Sequence, residues 1–139
     1  MKAKKLIILA LALIATATAQ AQVVRDADFN TLGRINRNGI ARANDGRSVA
    51  VFDDKGFLHD KLGNVVVRIK DMDILDPEGN PIGYINRDGT VRDSASNLLG
   101  HIDISDGKVT DASDNVLGYA RGIRVDWIAC YYFFKLFEF

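Results

Sequence analysis

The sequence predicts an all-β protein in which five repeated β-hairpins surround a pseudo-five-fold axis and an aromatic C-terminal tail closes the array. Three observations carry that reading: one pattern recurs six times, turn segments separate the copies, and aromatic residues concentrate at the C-terminus. Each copy opens on an apolar residue: Val24, Ala41, Leu58, Ile74, Val91 or Val109. Nine residues later stands a residue that is usually small: Gly33, Ala50, Val67, Gly83, Gly100 or Gly118. A fixed period marks a repeat architecture, whose units are each too small to fold alone.

Successive copies lie 17, 17, 16, 17 and 18 residues apart. The nine-residue step never changes, so all variation falls between the small residue and the next opening residue. Length changes collect at exposed loop tips, and this stretch is therefore read as a hairpin loop. Its segments are Asn36-Arg37-Asn38-Gly39, Asp53-Asp54-Lys55-Gly56, Lys70-Asp71-Met72-Asp73, Asn86-Arg87-Asp88-Gly89 and Asp103-Ile104-Ser105-Asp106-Gly107. Four of the five end in Gly, which supplies the positive φ of a tight hairpin. The third is the short one and lacks Gly, which predicts a different turn. Short β-prone runs flank the loops, as in Tyr84-Ile85 before Thr90-Val91.

A second turn joins one hairpin to the next. Asp26 and Asn30, Asp60 and Asn64, Asp76 and Asn80, Asp93 and Asn97, and Asp111 and Asn115 share one spacing. Asp hydrogen-bonds its own downstream backbone, and Gly or Asn tolerates a left-handed conformation. The second copy departs, with Ala43 and Arg47 at these positions, but keeps Gly46. The recurring small residue follows an apolar one, as in Leu32-Gly33 and Leu117-Gly118. Gly weakens a strand unless something passes close by, so its recurrence predicts crowding near a shared axis. The sixth half-copy, Val109 to Ala120, has no loop hairpin of its own. It is expected to return to the first copy and close the ring, removing exposed strand edges.

Residues 1–21 read as a signal peptide. Lys2, Lys4 and Lys5 precede an apolar run from Leu6 to Ala15, and Ala19-Gln20-Ala21 is a small-x-small cleavage pattern. The expected organisation is a leader over 1–21, a five-hairpin domain over 22–122 and an aromatic tail over 123–139. The expected destination is export, to the periplasm, the cell envelope or the outside. With the leader's three lysines removed, 15 basic residues face 18 acidic ones, a net charge of −3. That balance argues against binding nucleic acid through phosphates. Cys130 is the only cysteine, so no internal disulfide is expected and a buried thiol is.

Seven of the 12 aromatic residues fall within the last 13 positions: Trp127, Tyr131, Tyr132, Phe133, Phe134, Phe137 and Phe139. The repeats are rich in Val, Ile and Leu but poor in rings. The tail is therefore expected to pack over the open base of the ring as extra core. Its competing reading is a contact surface for a membrane or envelope protein, with Trp127, Tyr131 and Phe134 as the candidate residues.

The recurring Val-Arg-Asp, the Leu-Gly-Tyr strand and the Asp-Gly turn are clearest from Ile82-Gly83-Tyr84-Ile85 to Gly89-Thr90-Val91-Arg92-Asp93 and at Leu117-Gly118-Tyr119. With the ending Trp127-Ile128-Ala129 through Phe134, they resemble the five-fold β-flower family of small exported bacterial proteins. The resemblance covers essentially all of residues 22–139. It implies a compact five-petal array of hairpins, and no activity.

No pattern for catalysis stands out. His59 and His101 occupy different repeat positions and have no Cys partner for zinc. Nucleophile motifs and phosphate-binding Gly loops are absent. The repeated Asp residues would form a circle open to calcium, but their turn-capping role outweighs it. Arg25, Arg42, His59 and Arg92 form a matching basic circle, with Arg25 and Arg92 expected to pair with the neighbouring Asp. The leading expectation is an exported, non-enzymatic binding or structural module without cofactor or metal. Its candidate ligand-facing residues are Asn36, Arg37, Asp53, Asp54, Asn86, Arg87 and Asp88, and a glycan is a candidate ligand. A hydrolase of envelope polymers acting through loop carboxylates is the enzymatic alternative, and attachment through the tail is the third.

Overall fold

A computed structural model describes residues 22–139; the leader assigned to residues 1–21 lies outside them. Local turn chemistry sets the plan. Asp93 shows how each inter-hairpin turn is built: its Oδ1 accepts N–H bonds from Ala95 and Asn97, at 3.0 and 2.9 Å, and its Oδ2 accepts from Asn97 Nδ2 at 3.0 Å. Asp26, Asp60, Asp76 and Asp111 use the same three kinds of bond. The fourth turn residue is left-handed, and here the sequence allows Phe29, Ser96 and Asp114 as well as Gly46, Gly63 and Gly79. Replacing Asp93 with Ala strips those acceptors, and calorimetry should show Tm lowered by a few degrees.

These turns and the loops join twelve strands: β1 (Val23–Asp26), β2 (Thr31–Ile35), β3 (Ile40–Ala43), β4 (Ser48–Phe52), β5 (Phe57–Asp60), β6 (Val65–Lys70), β7 (Asp73–Leu75), β8 (Pro81–Ile85), β9 (Thr90–Asp93), β10 (Leu98–Ile102), β11 (Lys108–Asp111) and β12 (Val116–Tyr119). Every strand pairs antiparallel with its sequence neighbours, and β12 pairs with β1 to close a barrel. The five loop hairpins are present, and the closing pair of β12 and β1 takes a sixth place in the ring. All Asp turns cluster at one end of the barrel and all loops at the other.

In four loops the closing Gly is left-handed, as at Gly39 with φ 86°. A side chain on Gly39 would also collide with the Phe52 carbonyl, so space as well as φ demands glycine. The third loop turns instead through Asp71 and Met72, at φ 51° and 71°, a two-residue hairpin that needs no glycine.

Each Asp-turn hairpin carries a register shift that leaves the apolar residue before the small one unpaired. Such bulges re-aim side chains. Here Leu32, Val49, Val66, Ile82, Leu99 and Leu117 pack against the core beside the small residues. The six opening residues are all 0–1% exposed. Ile35, Phe52, Ile85, Ile102 and Ala120, each two residues beyond a small one, are buried with them.

The centre is filled by a helix. α1 (Val125–Tyr132) buries Asp126, Trp127, Ile128, Ala129 and Cys130. Trp127 stacks on Phe52 at 5.0 Å near the loop end, whereas the Tyr132 hydroxyl donates to the Arg25 carbonyl at 2.5 Å near the turn end. The helix thus runs along the barrel interior, and the tail is more than a cover over an open base. Apolar positions 125, 128, 129 and 132 follow helical spacing, and a helix apolar on nearly every side is a buried one. Burial raises the Cys130 thiol pKa, with the nearby Asp126 adding to the effect.

The crowding expected at the small residues has its source here. A side chain on Gly118 would strike the Tyr132 ring, one on Gly100 the Phe133 ring, one on Gly83 the Phe134 ring and one on Gly33 the Phe139 ring. Three consecutive tail residues thus land on three consecutive repeats. The glycines are seats for rings, and neighbouring-strand carbonyls, from Arg25 at Gly118 and Thr110 at Gly100, add to the squeeze.

Candidate functional site

At the turn end the charged side chains are largely committed to structure. Each Asp of the circle caps its own turn, and for Asp26, Asp60 and Asp111 the downstream Asn backbone N–H is the chief cause holding the carboxyl below its ordinary pKa. The basic circle does not pair with these carboxylates. Arg25, Arg42 and Arg92 each donate from Nη1 to the carbonyl of the left-handed turn residue, at 3.1, 3.1 and 2.9 Å. His59 reaches the equivalent carbonyl of Gly63 through Nδ1 at 3.3 Å. The wide groove of about 700 Å³ at this end sets Val49, Leu62, Leu136, Phe137 and Phe139 among Arg47, Asp60, Lys61 and Glu138.

The loop end differs. A cleft of about 290 Å³ opens between the second and third loops and the segment entering α1. Phe52, Trp127 and Ile69 line it among charged residues. Lys55 and Asp54 come from the β4–β5 loop, Arg68 and Lys70 from β6, Asp71 from the turn after it, and Arg124 from the connector. Arg124 Nη2 and Nε bind the buried Asp126 carboxylate at 2.6 and 3.1 Å, and its guanidinium lies 4.9 Å from the Trp127 ring centre. Asp126 Oδ1 also accepts the Trp127 N–H at 2.9 Å. This knot fixes the mouth of the barrel. A smaller cavity of about 130 Å³ on the other side of Trp127 is lined by Gln22, Ile35, Asn36, Arg37 and Ile123.

Asp53 belongs to the cleft but is bound to its loop. Its Oδ1 accepts N–H bonds from Lys55 and Phe57, both at 2.9 Å, and its Oδ2 meets His59 Nε2 at 2.8 Å. Partial burial opposes ionisation of Asp53, but the His59 bond and the backbone donors outweigh it and lower its pKa. The same Asp53 bond raises His59 above its ordinary 6.5 against the effect of partial burial. His59 is therefore a paired side chain. A group bound more tightly when protonated in the folded state stabilises most below its unfolded pKa and loses that contribution as pH rises through its folded pKa. The urea midpoint of the native chain should thus fall from pH 6.5 upward, relative to a His59→Gln variant.

Of the loop residues singled out from the sequence, Asn36 and Arg37 fall on one side of Trp127 and Asp53 and Asp54 on the other. Asn86, Arg87 and Asp88 sit farther round the ring and line neither cavity. Asn36 Oδ1 accepts from Asn38 and Ile40 within its loop, and Asp88 Oδ1 accepts from Thr90. Of the tail residues, Trp127 is 8% exposed and Phe134 sits over Gly83. Tyr131 packs against Tyr132, Phe137 and Phe139 at 4.9, 5.4 and 5.0 Å. Lys55, Lys70 and Asp71 were legible as loop residues but not as site residues, and Arg68 and Arg124 not at all, because only barrel closure and the inserted helix bring the five together.

Among the described residues, no group of three or more His, Cys, Asp or Glu stands ready to hold a metal. No helix among them is long and apolar enough to cross a membrane. A family model described as "5-fold beta-flower protein" matches residues 21–136. No curated protein and no solved structure matches the chain.

Proposed function

The chain belongs to the 5-fold beta-flower family, and on that footing we propose that it is an exported, non-enzymatic binding module whose ligand surface is the loop end of the barrel. The family brings a fold and no activity. The observation carrying the proposal is the asymmetry between the two ends: the repeated Asp and Arg side chains of the turn end hold the turns, whereas the loop-end cleft gathers Lys55, Arg68 and Lys70, which form no ion pair among the described residues. Loops set on a rigid scaffold are the usual place for binding.

A polymer hydrolase is less well supported. It needs a carboxylic acid with a raised pKa facing a second carboxylate. Among the described residues, every Asp with a displaced pKa is displaced downward. Attachment through the tail is also less well supported, because Trp127, Ile128 and Phe137 are spent on the core.

The test is a titration of isotopically labelled residues 22–139 with a panel of purified envelope glycans, followed by amide resonance shifts. Binding at the loop end should move Asn36, Arg37, Asp53, Asp54 and Trp127 without releasing shortened glycan. Shifts confined to the turn end would overturn the assignment, and release of products would return the hydrolase reading.

A further inference from the structure

Three cations of the cleft beside Trp127 have no ion-pair partner among the described residues. We propose that the cleft binds an oxyanion, a carboxylate or phosphate carried on a larger molecule, gripped by Lys55, Arg68 and Lys70 with Arg124 at its edge; this deepens the loop-end reading and rests on it. Lys55, Arg68 and Lys70 form no ion pair among the described residues. They come from two consecutive copies and line one cavity. The Arg68 guanidinium lies 5.2 Å from the Phe57 ring centre, which restricts its plane and lowers the ordering cost of a forked contact.

Arg124 spends its Nε edge on Asp126. Its Nη1 donors remain, on a side chain 62% exposed. Asp53 keeps its charge but spends both oxygens on His59 and on the Lys55 and Phe57 amides. Asp54 and Asp71 line the same cleft without an ion pair of their own among the described residues. They weaken the local field, so a ligand is held through directed contacts from the three unpaired cations and carries one localised charge. A guanidinium presented beside ammonium groups matches the planar or trigonal oxygens of a carboxylate or phosphate. The rim is solvent-exposed, so the contact is salt-sensitive.

Trp127 is the only tryptophan and lines the cleft, so its fluorescence reports occupancy. Residues 22–139 are titrated with inorganic phosphate, with a short oligogalacturonate as the carboxylate source, and with a neutral maltooligosaccharide. A saturable change is expected with at least one charged probe, and which of them responds identifies the source. Arg68→Ala and Lys55→Ala should each weaken binding by about tenfold, Asp54→Asn should strengthen it, and added salt should weaken it. All three side chains are exposed, so the variants should unfold at the native Tm. Saturation by neither charged probe, or affinity unmoved by Arg68→Ala, would overturn the proposal. If glycan-induced shifts at the loop end persist in that case, the loop-end reading stands without the oxyanion. If they too are missing, both fail.

Discussion

Residues 22–123, ending before α1, will show no cooperative thermal unfolding. The truncation removes Trp127, Ile128 and Phe137 from a core in which the six opening residues are at most 1% exposed. Losing three such side chains costs roughly 8–15 kcal/mol by the usual large-to-small penalties. A domain of this size is stable by only about 5–15 kcal/mol. The barrel left behind would enclose an unfilled centre lined by Val24, Leu58, Ile74, Val91 and Val109. Calorimetry of 22–139 against 22–123 decides the matter. A native-like transition in the shorter chain would mean that the sheet packs on itself and that the helix is an accessory. Adding the 124–139 peptide to the truncated chain should restore part of the transition.

Gly118→Ala should cost about 3 kcal/mol or more and lower Tm by roughly 10 °C. The added methyl would meet two obstacles, the Arg25 carbonyl and the Tyr132 ring. Neither gives way easily. Arg25 pairs with Tyr119 and Asp26 with Gly118 across the closing seam, and the Tyr132 hydroxyl is bonded to that same carbonyl. Displacing the strand opens the barrel, and displacing the ring unseats the helix. Tyr132→Phe separates the two costs, since it removes the hydroxyl and keeps the ring. If Gly118→Ala unfolds at the native temperature, the glycine seats are not required by packing.

Much of the fold was legible because its determinants are local. The Asp93–Asn97 pair shows its turn in five residues, and Gly39 and Gly89 mark their loops by the φ they must adopt. Even the exceptional third loop was visible, as one missing glycine and one missing residue. The helix was harder to see. Trp127 to Tyr132 reads equally well as a ring-rich cover, and only the size of the barrel interior decides that it enters. The role of Gly33, Gly83, Gly100 and Gly118 was half legible. Crowding followed from their recurrence, but its source, rings more than ten residues away in the chain, did not. The cleft was least legible. Lys55 and Arg68 are 13 residues apart in sequence, and Arg124 reaches them only because the chain turns inward after β12. The Arg circle misled for a simple reason: carboxylates already saturated by backbone N–H groups leave a neighbouring guanidinium to seek the carbonyl instead.

The position of α1 also dictates an order of events. The first strand finds its last partner only at Tyr119, and the ring seats are filled only by residues from Tyr132 onward. A chain emerging from its N-terminus therefore collects hairpins early, each closed over a short stretch, but has neither seam nor filling until residues 116–139 have emerged. Joining residues so far apart is the slow step of such a topology. The repeats are thus held in a loosely assembled state until then, and residues 123–139 act as the latch that turns a string of hairpins into one cooperative body.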